Sequence, residues 1–535
     1  MTMSDAKNKT GTPASTSLKT WASDRCAVFR RDESGSLVIF TLFLIVVMLM
    51  VGGIAVDVIR HETKRSQIQY SLDRGALAAA DLQQTLGATK TVKSYMRAVG
   101  LKPKDYNVVV NKQEGLNFRK VTATAGQYVP THFMNLFGID RIPVTGRGVA
   151  EERIMDIEIS LVLDVSGSMN SNNRLTLMKD AARDFIDSVI PDGATEEKVS
   201  ISIIPFSTQV NAGPDLLSFY NATSEHGYSH CVDFATSDFS TAALPTTQSI
   251  QRTGHFDPWG TRRPPNAGDF VCHPDTHRHI VAWSHDPVVL KAAITNLVAG
   301  GNTSMDIGAK WGSALLDPSA RSIVTSKVNS NNVHADFAGR PFDYDEENTM
   351  KVMVVMSDGQ NTSQYYLRDS YKNGLSHSWL DVNGAGISDD DWSQYDPGYN
   401  DYYHYDNNRY YSYPDGGSSA VRQTYPQVWN QMSVKWWASR LKTKASGGST
   451  NGWASAVYTS HGGTTKNSRT SSICGAAKTA GVLVFSIGME TYGQGDATLL
   501  DCASSASHFF DVDGIEISEA FNAIAAKINQ LKLVQ

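Results

Sequence analysis

The sequence predicts an α/β protein: one transmembrane helix with a helical stalk, then a doubly wound parallel sheet that carries two large loop insertions. Three observations predict it. An uncharged apolar run, Leu37 to Val56, has the length of about 20 residues that crosses a bilayer as a helix. From Met155 onward, short apolar runs alternate with amphipathic segments, the pattern of a parallel sheet covered on both faces. Two stretches, about 211–285 and 361–470, break that rhythm and read as insertions on its loops.

Residues 1–35 are rich in Ser, Thr and Lys without apolar periodicity, which predicts a disordered cytoplasmic tail. The membrane helix is placed at 36–58; its length, its start well inside the chain and its continuation into "DVIRHETKRSQIQYSL" favour a retained anchor over a cleaved signal peptide. At 59–98, Ile68, Leu72, Ala76 and Ala79 recur at helical spacing, so the helix should continue as a stalk. Residues 99–152, with "NVVVN", "KVTATAG" and "IPVTGRGV", predict a small linker module of short strands. The main domain is 153–535. Its first strand is "MDIEISLVLDVS", followed by a helix with Leu175, Met178, Ala182, Phe185, Ile186 and Val189 on one face, then the strand "KVSISIIPFST". "KVMVVMSD" and "GVLVFSIGM" supply further core strands, and "SEAFNAIAAKINQLKLV" closes the chain as a helix.

A net charge of −6 and the lack of any run of lysines and arginines exclude a phosphate-tracking surface, so nucleic acid is not expected as a partner. Basic residues do not orient the helix, because Lys19, Arg25, Arg30 and Arg31 before the run are balanced by Arg60, Lys64, Arg65 and Arg74 after it. Cysteines do. Of five, only Cys26 precedes the run; Cys231, Cys272, Cys474 and Cys502 form an even set beyond it. Pairing by proximity gives Cys231 with Cys272 and Cys474 with Cys502 in an oxidising compartment, the alternative being four reduced thiols in a cytosolic core. The reading is a single-pass membrane protein with its short N-terminal tail inside and its large C-terminal part outside the cytoplasm.

At the end of the first core strand, "LVLDVSGSMN" places Asp164, Ser166 and Ser168 at every second residue, three hard oxygen donors able to converge on one small cation. Ligands of open parallel sheets bind beyond the carboxyl ends of the strands. Two more oxygen-rich loops, "AGGNTSMDIG" with Thr303 and "VMSDGQN" with Asp358, belong at the same edge. Together these residues resemble the Rossmann-like von Willebrand factor A (vWA) domain and its metal-ion-dependent adhesion site (MIDAS), an Asp-x-Ser-x-Ser motif completed by a distant Thr and Asp. The resemblance implies direct coordination by Ser166 and Ser168, coordination by Thr303 directly or through water, and support from Asp164 and Asp358 through water and hydrogen bonds. It implies Mg2+ as cofactor, with Mn2+ or Ca2+ as substitutes, and a protein partner that offers an exposed Asp or Glu.

The stretches "RRDESGSLVIFTLFL" and "AVDVIRHETKRSQIQYSLDRGALAAADL" resemble the N-terminal segment of TadG-like proteins of the tight-adherence (Flp) pilus assembly system, some of which carry a vWA domain. "LLDCASSASHFFDV" and the closing helix fit the same family. One departure is Phe40, which stands fifth after Gly35 where pilin-like relatives have Glu; this favours a permanent anchor over prepilin cleavage. The family implies an envelope-anchored, metal-dependent adhesion protein of pilus assembly. A minor pilus subunit and a vWA-type accessory regulator of another membrane machine are the alternatives.

The first insertion groups His226, His230, His273, His277 and His279 around Cys231 and Cys272, but without a Cys-x-x-Cys pair the spacing fits no zinc finger or ribbon; a disulfide among surface histidines is expected. In the second, Tyr395, Tyr399, Tyr402, Tyr403, Tyr405, Tyr410, Tyr411 and Tyr413 alternate with Asp, Asn, Ser and Gly. That is the composition of a binding loop, or of a loop that covers the domain. No Gly-x-Ser-x-Gly elbow, phosphate loop or His-Glu-x-x-His helix is present, and Ser166 has no base beside it in sequence, so an enzyme is not expected.

Overall fold

The computed structural model describes residues 26–27, 30, 34–81, 84–114, 118–153, 156–190, 198–383, 386–493 and 495–531. The N-terminal tail expected to be disordered lies almost wholly outside these residues. The chain divides into two compact units, Met1–Glu152 and Arg153–Leu533, with the last two residues assigned to the first.

In the first unit a 47-residue helix, α1 (Ser34–Ala80), is followed by α2 (Ala88–Ala98) and by three strands, β1 (Asn107–Glu114), β2 (Phe118–Pro130) and β3 (Arg141–Arg153), in sheet order β1-β2-β3. From Leu37, α1 is long and apolar enough to cross a membrane. The expected stalk is not a free rod. Ile68, Leu72, Ala76 and Ala79 are buried, together with Val92, Met96, Val121, Ala123 and Val144, so one face of the helix is the core of the small module. The approach is close enough to require glycine: a Cβ on Gly148 of β3 would lie 2.6 Å from the Leu72 carbonyl oxygen. The helix also ends at Ala80, and α2 folds back against it instead of prolonging it.

The second unit opens with β4 (Asp156–Asp164), α3 (Arg174–Val189) and β5 (Val199–Phe206). After the first insertion come β6 (Val281–Ser284), α4 (Pro287–Thr295), α5 (Met305–Ala314) and β7 (Thr349–Ser357). The second insertion contributes β8 (Leu375–Asp381), β9 (Trp392–Asp396), β10 (Asp401–His404), β11 (Arg409–Tyr411) and β12 (Ala420–Thr424). The chain ends with α6 (Gly463–Thr479), β13 (Leu483–Met489), α7 (Asp496–Cys502), β14 (Phe509–Val512) and α8 (Glu516–Leu531).

Six strands form the main sheet in the order β14-β13-β7-β4-β5-β6, parallel throughout except for antiparallel β6 at the edge. Pleat alternation supplies two cores. Ile157, Ile159, Leu161 and Leu163 of β4 meet α3, α4 and α8 on one face, whereas Val162 meets α5, α6 and α7 on the other. With both faces covered, the central strands are buried almost end to end, as in a parallel sheet, and the charged Glu158 of β4 and Lys351 of β7 pair with each other.

Both insertions end earlier than the sequence reading places them. Val281–Ser284, placed inside the first, is the edge strand of the main sheet; α6, whose first residues fell inside the second, covers that sheet. Nor is the Tyr-rich stretch a loop. It folds into a separate five-stranded sheet, β11-β10-β9-β8-β12, whose assigned neighbouring pairs are all antiparallel. The two insertions share one core, in which Phe256 and Val271 of the first pack with Trp392, Tyr403, Trp429 and Trp437 of the second.

Candidate metal-binding site

Four of the five oxygen-bearing residues singled out in the sequence meet where β4 and β7 end. Asp164 is fully buried, and one carboxylate oxygen accepts the Ser166 N–H at 2.7 Å while the other accepts the Ser357 hydroxyl at 2.6 Å. The Ser166 and Ser168 hydroxyl oxygens lie 3.0 Å apart, and Ser168 donates to Asp358 Oδ1 at 2.8 Å. β4 and β7 are neighbours in parallel register, so both carboxylates arrive at the same edge of the sheet.

Thr303 arrives from the loop before α5. Its hydroxyl makes none of these bonds, but its loop is tied to the Asp164 loop by Gly167 N–H to the Gly301 carbonyl and by Gly300 N–H to the Val165 carbonyl, both at 2.9 Å. Gly301 has φ +85°, and a Cβ there would fall 2.7 Å from Thr208 Oγ1, so only glycine closes the loop this tightly. Beneath it, the buried Lys466 ammonium donates to the Thr303 and Thr362 carbonyls and to the Ser304 hydroxyl. Burial lowers this ammonium to about 8, against the pull of the Asp306 carboxylate.

Three partners escaped sequence reasoning. Arg174, at the start of α3, donates from Nη1 to Asp358 Oδ2 at 2.8 Å and from Nε to Glu490 Oε2 at 2.9 Å. Glu490 follows β13, the strand beyond β7, and also accepts from Asn172 at 2.8 Å. Ser357 fixes the orientation of Asp164. A charged arginine one turn past a Ser-rich loop was the available signal; its carboxylate partners lie too far away in sequence to be guessed.

Burial first, and the neighbouring Asp358 charge second, push the Asp164 carboxyl up to about 7, in spite of hydrogen bonds from Ser357 and Ser166 that oppose the shift. Two carboxylates that repel each other and two hydroxyls that hydrogen-bond therefore converge at one strand edge. Carboxylate and hydroxyl oxygens are the hard donors that a small divalent cation takes, and the 3.0 Å and 2.8 Å spacings of Ser166, Ser168 and Asp358 are those of ordinary hydrogen bonds.

The disulfides Cys231–Cys272 and Cys474–Cys502 form, with Cα separations of 5.9 and 4.9 Å, and Cys26 is free and exposed. The five histidines expected on the surface around the first are all half-buried instead, and His273 and His277 flank Asp275 with their ligand atoms within 4.8 Å of one another. The eight tyrosines are divided between two faces. Tyr403 is buried in the insertion core and Tyr405 packs against it; Tyr395, Tyr402 and Tyr411 form a half-buried row on the opposite face; Tyr399, Tyr410 and Tyr413 are exposed.

Fold and site together define an α/β protein with an oxygen-lined strand-end site and one helix able to cross a membrane. Residues 35–82 match the family described as "Putative Flp pilus-assembly TadE/G-like", which supports a place in Flp/Tad pilus assembly. No curated protein sequence matches the chain. Among solved structures it is similar to the pilus adhesin SpaC from Lactobacillus rhamnosus GG in its open conformation, at 14% identity and a TM-score of 0.30 over 79% of this chain and 34% of that one. It is also similar to the vWF domain of the type V pili tip protein Mfa5 from Porphyromonas gingivalis, at 11% identity and 0.32, over 71% and 98% of the two chains. For the pilus adhesin RrgA from Streptococcus pneumoniae the values are 12% and 0.30, over 79% and 49%. The chain thus spans about a third of the length of SpaC, and likenesses this slight carry no inference about ligand or role.

Proposed function

We propose that this protein is an envelope-anchored, metal-dependent protein-binding component of a Tad/Flp pilus system, with an adhesin-like role. In this reading a Mg2+ ion held by Asp164, Ser166, Ser168, Thr303 and Asp358 presents a free position to an acidic side chain of a pilus or envelope protein. The observation that carries the reading is the convergence of Asp164, Ser166, Ser168 and Asp358 into one hydrogen-bonded chain at the ends of adjacent parallel strands. The match of residues 35–82 supports the pilus system, and two disulfides in the large unit support an oxidising, periplasmic or extracellular location beyond the inner membrane. Binding, not catalysis, is the role that such a site supports.

Each residue has a definable task. The Ser166 N–H and the Ser357 hydroxyl hold the Asp164 carboxyl in one orientation, so its oxygens are in place before any ion arrives. Arg174 braces Asp358 on the side away from Ser168 and spreads its charge toward Glu490, leaving Oδ1 directed at the serines. Lys466 fixes the carbonyl of Thr303 and with it the position of that loop. The bound ion supplies an electrophilic contact for a carboxylate.

Calorimetry with Mg2+ and Mn2+, paired with capture of pilus-fraction proteins in Mg2+ and in EDTA, tests the proposal. Asp164→Asn should abolish ion binding and metal-dependent capture while the fold is retained by circular dichroism. Equal capture in EDTA and by Asp164→Asn would make the site a structural turn and move the function to the insertions.

A further inference from the structure

The hairpin tip between β2 and β3 carries a second apolar surface that neither the strand-end site nor the membrane helix explains. Leu136 is 76% exposed, Phe137 53%, Ile139 43% and Phe133 41%, four large apolar side chains within seven residues. In a water-facing turn such a cluster is costly, since each buried side chain of this size gains appreciably on leaving water.

The tip is anchored at one particular height on α1. A Cβ on Gly53 would lie 2.4 Å from the ring of Phe133, so that ring rests directly on the glycine backbone. One turn further, the buried Asp57 carboxylate accepts the N–H groups of His132, Phe133 and Met134 at 2.7–3.1 Å, which holds the whole turn against the helix. Gly53 belongs to the apolar run Leu37 to Val56. At 1.5 Å per residue it lies about 24 Å from Leu37, a few ångströms inside the far boundary of a hydrocarbon core about 30 Å thick. Below the tip, the exposed Tyr128 ring is capped by the Arg141 guanidinium at 5.2 Å, an aromatic and a cation at the height where an amphipathic belt meets lipid headgroups.

We propose that residues 133–139 insert into the outer edge of the same bilayer that α1 crosses, as a second, non-spanning membrane contact whose occupant is lipid. The hairpin then pins the small module to the membrane surface and restricts the tilt and depth of α1, which a single helix leaves free. The proposal rests on reading Leu37–Val56 as the span.

The test uses the full chain in vesicles of phosphatidylethanolamine and phosphatidylglycerol, with Cys26→Ser removing the free thiol and an environment-sensitive probe placed at Leu136→Cys, Ile45→Cys or Asn111→Cys. The expected result is strong quenching of the probes at positions 136 and 45 by nitroxide-labelled lipid with little quenching by iodide, and the reverse at position 111. A probe at position 136 open to iodide while the one at position 45 is lipid-quenched overturns the tip contact and leaves the span standing. Iodide access at both positions overturns both. A probe at position 136 shielded from iodide yet untouched by lipid-borne quencher also overturns the proposal, because the tip would then be covered by protein, a second copy of this chain included.

Discussion

The large unit contains two sheets that differ in where they can act. The main sheet is parallel and sandwiched, so both faces are spent on packing and only the strand ends are free; there lie Asp164, Asp358 and Glu490. The insertion sheet is antiparallel and packs one face on its tryptophan core, leaving Tyr395, Tyr402, Tyr411 and Trp379 half-exposed on the other. The contrast follows from connectivity: parallel strands need covering crossovers, whereas hairpins can leave a face in water. A site on the first is a point fixed by loops. On the second it would be a surface fixed by pleat alternation.

That contrast can be broken most forcefully from the insertion side. Trp392 is fully buried beneath β9, and Trp392→Ala should cost about 3–5 kcal/mol of stability through the cavity left behind. Calorimetry should nonetheless give an unchanged Mg2+ affinity; a lost ion site would show the two sheets to be one functional unit. Removing Cys474–Cys502, whose members are 28 residues apart and lie in the core that covers the main sheet, should cost about 3.5 kcal/mol in the chain-entropy model. Denaturation of Cys474→Ser/Cys502→Ser against the parent measures it.

A smaller effect isolates the strand ends. In the folded, metal-free protein the Asp164 carboxyl titrates at about 7, above an unfolded value near 3.9. Between those values the native state holds the extra proton, so stability in EDTA should fall as pH rises from about 4 to about 7, by a few kcal/mol at most, and level off above. Asp164→Asn should remove this slope, and saturating Mg2+ should offset the loss in the parent. A slope identical in parent and variant would place the titration elsewhere. The smallest effect lies on the outer tyrosine row, where Tyr402 stands 5.0 Å from Tyr395 and 5.7 Å from Trp379. Tyr402→Ala should cost about 1 kcal/mol and leave metal-dependent capture intact. If capture falls with the stability barely moved, the Tyr-rich face takes part in partner binding.

Local pattern and residue chemistry determined a good deal from the sequence alone. The membrane-length helix, the alternating strands and helices of the main sheet, the two disulfide pairs and the candidate oxygen donors are all legible in the sequence. Each is announced by neighbours in the chain: an apolar run, a period of 2 or 3.6, or hard donors where a strand stops being hydrophobic. The tertiary structure alone decided the rest. The Tyr-rich sheet was hidden because its strands, "WSQYD", "DYYH" and "RYY" among them, are short and mix aromatic with polar, turn-forming residues without regular alternation, so no apolar period marked them. Arg174 and Glu490 are 316 residues apart, and Phe133 meets Gly53 across 80; these contacts depend on which strands become neighbours and how tightly helices approach them. Strand order and approach distance are set by the closure of the whole core, so no window of the sequence contains them.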